Sequence, residues 1–168
     1  MTNESLSNQE LIAPYLSGLV ANLLLQKGWM MATAESCTGG LIAAACTDLA
    51  GSSAWFDRGF VTYSNAAKTA QLGVDATLIA QHGAVSQPVA EAMARGACAQ
   101  AGVPAALAVT GVAGPTGGSA DKPVGTVWFG WCVQGQVHSE RMQFPGDRAA
   151  VRHATVRHAL ARFAELLG

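Results

Sequence analysis

Trp29-Met30-Met31-Ala32-Thr33-Ala34 is an apolar run of strand length, and it leads straight into Glu35-Ser36-Cys37-Thr38-Gly39-Gly40. From Leu41 to Leu49 the chain is alanine-rich and helical in pattern. A buried strand that feeds a Ser/Thr/Gly turn and then a helix is the building unit of an α/β sheet. The flanking segments extend this unit in both directions.

Upstream, Ser7 and Glu10 have capping-box spacing, and an apolar helix pattern runs to Leu25 before Gly28 stops it. Pro14 falls inside that stretch and predicts a kink or a later start. Downstream, Gly51-Ser52-Ser53 breaks the chain, and Arg58 to Tyr63 has the β-branched and aromatic character of a second strand. Asn65 to Leu72 and Asp75 to Gln81 read as short helices. Ser86 caps a longer one reaching Ala101, with Pro88 in its first turn. Ala105 to Val109 is a third strand, running into the glycine-rich loop from Thr110 to Gly118. Gly125 to Val133 and Gln136 to Phe144 flank Gln134-Gly135 as a hairpin. Asp147 caps a last helix with apolar residues at Val156, Ala159, Leu160, Phe163 and Leu167. Strands alternating with helices, then a hairpin, predict a mixed, mostly parallel sheet covered on both faces. No repeat, linker or low-complexity segment divides residues 1–168, which read as one domain.

Half of the residues are hydrophobic and 12% are charged, against roughly a quarter charged in an ordinary soluble domain. So little charge fits a surface partly hidden in a homodimer or higher homo-oligomer. The net charge is −1 and no Lys/Arg cluster occurs, which argues against a phosphate-tracking nucleic-acid binder. Cys37, Cys46, Cys98 and Cys132 show neither zinc-ligand spacing nor a secreted disulfide framework, and read as free thiols of a reducing compartment. The first ten residues are polar and acidic, unlike a signal peptide, and no apolar run approaches the ~18 residues of a membrane span. The expectation is a cytoplasmic protein with no nucleic-acid or membrane partner, no metal and no cofactor.

Two loops follow the carboxyl ends of predicted strands, where open α/β sheets bind ligands. The turn Glu35 to Gly40 offers hydroxyls and backbone N–H groups at a helix start. It suits an anion or a developing oxyanion, but Ser, Thr and Gly are equally good helix caps. The loop Gly111 to Gly118, flanked and interrupted by Thr110 and Thr116, fits neither a Walker A nor a Rossmann spacing. It reads as a ligand loop or as mobile surface. If Ser36 is a nucleophile it needs a base. His153 and His158 are five apart on one helix, and His82 and His138 have no evident acidic partner. Lys68, one of only three lysines, follows the second strand and could return beside Ser36. A desolvated lysine can serve as base to a serine, and a solvated helix lysine is the alternative.

Ala34-Glu35-Ser36-Cys37-Thr38-Gly39-Gly40-Leu41-Ile42-Ala43 resembles the signature opening of the CinA C-terminal domain, the nicotinamide-nucleotide amidase family. Gly51-Ser52-Ser53, Val61-Thr62-Tyr63-Ser64-Asn65 with Lys68, and Gly83-Ala84-Val85-Ser86 match in order. Thr110-Gly111-Val112-Ala113-Gly114-Pro115, Gly117-Gly118 and Lys122-Pro123-Val124-Gly125-Thr126-Val127 continue the match over nearly the whole chain. The chain is similar to the stand-alone form of that domain. The resemblance implies a three-layer α/β/α fold with a mixed five-stranded sheet. It implies hydrolysis of nicotinamide mononucleotide to nicotinic acid mononucleotide and ammonia, with Ser36 as nucleophile and Lys68 and Tyr63 as activating partners. Substrate contacts are then expected from Cys37, Thr38, Gly39 and Gly40, from Asn65, and from Thr110, Gly111, Gly114, Gly117 and Gly118. Arg148 is expected to reach the phosphate. A non-catalytic nucleotide-binding module and a serine amidase for another small amide are the alternatives.

Overall fold

The computed structural model describes residues 4–168, with side chains from Ile12 onward. The chain opens with helix α1 (Glu4–Lys27), then β1 (Met31–Glu35), α2 (Leu41–Thr47) and a 3-10 turn at Ser52–Ala54. β2 (Phe56–Val61), α3 (Asn65–Leu72), α4 (Ala76–His82) and α5 (Gln87–Ala101) follow. β3 (Ala105–Gly111), β4 (Thr126–Val133), β5 (Gln136–Gln143) and α6 (Arg148–Leu167) complete it. The sheet order is β2-β1-β3-β4-β5. β1 is parallel to β2 and β3, whereas β4 is antiparallel to β3 and β5. Every strand except β4 therefore points the same way, as the alternation of strands and helices predicts.

Side chains alternate across the sheet and give it two unlike faces. Met31, Leu107, Val109, Phe129 and Trp131 face a bulky core shared with Val20 and Leu24 of α1, Ile42 of α2 and Phe163 of α6. Phe129 stacks on Trp131 at 5.5 Å between ring centroids, and the Trp131 indole N–H donates to the Ala159 carbonyl at 3.1 Å. Ala32, Ala34, Ala106 and Ala108 line the opposite face, against Leu72 of α3, Ile79 of α4 and Met93 of α5. The small residues let α5 lie close to the sheet. A Cβ on Gly130 would strike the carbonyl of Ala90, so β4 carries glycine where the helix passes. Helices thus cover both faces, giving the three-layer α/β/α architecture.

Several boundaries differ from the sequence reading. α1 is already under way at Glu4, so Ser7 lies inside it and not at its cap, and Pro14 sits within the helix without ending it. Burial of Val20 and Leu24 further along α1 outweighs these local signals. Ladder pairing extends β1 to Glu35, opposite Val61 and Val109, and β3 to Gly111, opposite Val127. β2 starts and ends two residues earlier than expected, which leaves Thr62 and Tyr63 in the connection to α3. Ser86 holds the N-cap position of α5, but its hydroxyl donates to the Gly83 carbonyl at 2.8 Å and makes no cap bond.

Candidate active site

β1 and β3 lie side by side in the middle of the sheet, with the chain leaving β1 for the β2 edge and β3 for the β4 side. Ligands bind open α/β sheets at such a reversal, outside the carboxyl ends of the strands. Ser36 is the first residue beyond β1, and its N–H donates to the Val109 carbonyl at 3.1 Å. The register of β1 on β2 brings Thr62 alongside, with its N–H on the Glu35 carbonyl at 2.9 Å. Ser64 then caps α3, its Oγ accepting from the Ala67 N–H at 3.0 Å. That cap sets the rotation of the first helical turn, and Lys68 reaches back to Ser36 at the end of β1.

Lys68 is 1% exposed. Its Nζ lies 3.1 Å from Ser36 Oγ and donates to the carbonyls of Thr62 at 2.9 Å and Tyr63 at 3.4 Å. Among the described residues no carboxylate forms a salt bridge with it. Burial therefore holds its pKa below the ordinary lysine value, and the nearby Cys37 thiol opposes this less strongly. The same burial pushes the Cys37 thiol up to about 12. A serine beside a desolvated amine, next to a thiol that stays protonated, is an arrangement for oxygen nucleophilicity rather than sulfur.

These groups open onto a cleft of about 300 Å³, near the lower end of small-ligand sites (roughly 300–1,000 Å³). Its lining includes Ser36, Cys37, Tyr63, Asn65, Lys68, Thr110, Gly111, Gly114, Gly117 and Arg148. Ala84, Val85, Val112, Ala113 and Thr116 complete it. Four of the residues expected at the site lie off the cleft. Thr38 is buried beneath the turn with its hydroxyl on Glu35, and Gly118 packs against the backbone of Val124. Gly39 and Gly40, at φ of 59° and 109°, shape the turn that leads into α2. Tyr63 is 60% exposed, and its hydroxyl accepts from Arg148 Nη2 at 2.9 Å rather than meeting Ser36. Arg148 also donates Nη1 to the Gly114 carbonyl at 2.8 Å, so it ties the β2–α3 connection to the glycine loop. None of the four histidines lines the cleft, and His158 bonds Glu140 at 2.9 Å elsewhere.

Two side chains that the sequence did not single out hold the Ser36 turn. Glu35, fully buried, accepts from Thr38 Oγ1 at 2.6 Å and from the N–H groups of Ile42 at 2.8 Å and Ala43 at 2.9 Å. Arg152 of α6 donates to the carbonyls of Cys37 at 3.1 Å and Thr38 at 3.0 Å. A glutamate directly before the nucleophile was the available signal for the first. Arg152 had none.

Known proteins share the sequence and the fold of this chain. The family model for the CinA C-terminal domain matches residues 15–167. The nicotinamide-nucleotide amidohydrolase PncC of Pseudomonas putida is 64% identical over 128 residues, spanning 76% of this chain and 80% of that protein. The protein of the same name from Escherichia coli strain K12 is 52% identical over 146 residues, 86% of this chain and 88% of that one. Among solved structures, the CinA superfamily protein of Klebsiella pneumoniae 700603 superposes with a TM-score of 0.89 at 44% identity, covering 92% of this chain and 97% of that one. The competence/damage inducible protein CihA of Agrobacterium tumefaciens gives 0.88 at 46% identity, covering 92% and 95%. With nearly the whole chain matched by sequence and by fold, this protein belongs to the CinA C-terminal domain family.

Proposed function

We infer that the protein is a nicotinamide-nucleotide amidohydrolase that converts nicotinamide mononucleotide and water to nicotinic acid mononucleotide and ammonia. The observation that carries the mechanism is the buried Lys68 amine, 3.1 Å from Ser36 Oγ at the base of the cleft. The named relatives, at 52–64% identity, support the reaction.

A neutral amine has two N–H donors and one lone pair. The Thr62 and Tyr63 carbonyls take the two donors, which leaves the lone pair for the Ser36 hydroxyl proton. Ser36 Oγ attacks the carboxamide carbon as Lys68 Nζ accepts that proton. The tetrahedral intermediate then loses its nitrogen, which takes the proton from Lys68 and departs as ammonia. Water attacks the resulting ester with Lys68 again as base, and the acid leaves as Ser36 regains its proton. Among the described residues the N–H groups of Cys37 and Thr38 donate to no backbone carbonyl, and we assign them to the oxyanion. Arg148 and the loop from Gly111 to Gly117 receive the ribose-phosphate end. Tyr63 walls the cleft through its ring and its bond to Arg148, and Lys68 takes the role of base.

We place the protein in the cytoplasm, as one domain that assembles into a homo-oligomer. Ile12, Tyr15, Leu19 and Leu25 are exposed along α1 and support that assembly. The reaction is tested by incubating pure protein with nicotinamide mononucleotide, nicotinamide riboside and a panel of simple amides, with ammonia measured by a coupled assay. Ser36→Ala should lose at least about 10³-fold in kcat with folding intact. Turnover confined to another amide, or a Ser36→Ala variant within tenfold of the parent, would overturn the assignment.

A further inference from the structure

The turn bearing Ser36 contains two glycines with positive φ, Gly39 and Gly40, so its own backbone is permissive. It is nevertheless gripped from outside the cleft by Glu35 and Arg152, neither of which lines the cleft. The grip is chemically sorted. The Glu35 carboxylate takes only donors: the Thr38 hydroxyl and the Ile42 and Ala43 N–H groups in the first turn of α2. The Arg152 guanidinium takes only acceptors, the Cys37 and Thr38 carbonyls. The two form no salt bridge with each other among the described residues. Their charges are therefore spent on the backbone of the turn. Because peptides are planar and trans, holding the Cys37 carbonyl also aims the Thr38 N–H the opposite way. Holding the Thr38 carbonyl likewise aims the Gly39 N–H, which closes on the Ser36 carbonyl at 3.0 Å.

We propose that Glu35 and Arg152 are positioning residues for the reaction, one holding donors and the other acceptors of the Ser36 turn so that Oγ stays opposite Lys68 Nζ. The proposal rests on Ser36 being the nucleophile. It makes α6, through one arginine, a support for a nucleophile more than a hundred residues away in sequence. It also predicts a particular failure, in which substrate still binds but the reacting atoms no longer meet. A misplacement of ~1 Å costs about 10²-fold in rate.

The test compares Glu35→Gln, Thr38→Val, Arg152→Met and Arg152→Lys with the parent and with Ser36→Ala. Folded fraction is measured by circular dichroism and thermal melting, kcat and KM with nicotinamide mononucleotide, and Ser36 reactivity by labelling with a fluorophosphonate probe. Glu35→Gln turns an amide NH₂ towards a backbone N–H that needs an acceptor, and Arg152→Met frees the Cys37 carbonyl and leaves the Thr38 carbonyl with the Leu41 N–H alone. Per folded molecule, kcat and labelling rate should each fall about 10²-fold in these two variants while KM stays within threefold. Arg152→Lys, which keeps a single cationic nitrogen in place of the two that bond the carbonyls, should recover at least about tenfold over Arg152→Met. If Glu35→Gln does not fold, Thr38→Val tests the carboxylate arm by removing one bond at constant shape, with about a tenfold loss in kcat expected. Parent-like kcat per folded molecule in Arg152→Met, or in the carboxylate-arm variant measured, would reduce these contacts to ordinary stability and overturn the proposal. A rise in KM alone would overturn it too, by placing Arg152 on the substrate. The Ser36→Ala control separates this failure from that of the nucleophile assignment, because its retained activity would sink the latter whatever the other variants do.

Discussion

If Lys68 is the base, its proton decides the pH profile of the whole reaction. A lysine titrating near 10.4 is neutral in only about 4 × 10⁻⁴ of molecules at pH 7, and each unit by which burial lowers that pKa raises the fraction tenfold. Lys68 is 1% exposed and has no carboxylate partner among the described residues, so the shift is downward. Activity should therefore climb with pH, tenfold per unit below the folded pKa, and level off before the value of a free lysine. Replacing the base should cost the ~10²–10⁴-fold that general-base catalysis contributes, about 3–5 kcal/mol of barrier. Lys68→Met and Lys68→Arg should be similarly inactive, since a guanidinium keeps its charge across the accessible pH range. The assay is ammonia release from nicotinamide mononucleotide between pH 6 and 10, at saturating and at low substrate.

Stability offers a second readout with a definite sign. With the folded pKa depressed, the unfolded chain holds the extra proton between that pKa and about 10.4. Folding stability of the parent, relative to Lys68→Met, should thus rise with pH across that window and be lost as pH falls through the folded value. A flat activity profile, together with a Lys68→Arg variant within tenfold of the parent, would refute the reasoning. Lys68 would then be an electrostatic anchor, and Tyr63 the next candidate for the base.

Three further outcomes follow from the same geometry. With its thiol pushed up to about 12, Cys37 should resist iodoacetamide at pH 8, and Cys37→Ala should stay within about fivefold of the parent. Rapid inactivation traced by mass spectrometry to Cys37 would contradict this. Tyr63→Phe removes only the hydroxyl that meets Arg148 and should lower activity by about tenfold, far less than Lys68→Met, as steady-state kinetics would show. Arg148→Met should raise KM for the mononucleotide by about 10–100-fold and leave the poorer substrate nicotinamide riboside nearly unaffected. Equal losses on both substrates would remove Arg148 from the phosphate.

The strand, turn and helix around Ser36 were legible because their signals are local. Met31 to Ala34 form an uninterrupted buried run, and glycines mark where the backbone turns. Element ends were less legible, because a partner decides them: β3 reaches Gly111 only because Val127 lies opposite. The site divides along the same line. Ser36 and Lys68 carry their chemistry in their own side chains, so residue type and family pattern together could nominate them before any geometry was known. Glu35 stood in plain view yet read only as the opening residue of the turn, since a lone buried glutamate is rare. What makes its burial tolerable is a set of donors that includes the Ile42 and Ala43 backbone N–H groups, and a backbone amide has no letter in the sequence. Arg152 is further removed, acting on carbonyls 114 and 115 positions away. A residue whose work is to hold another residue's main chain can be recognised only once the fold has brought the two together.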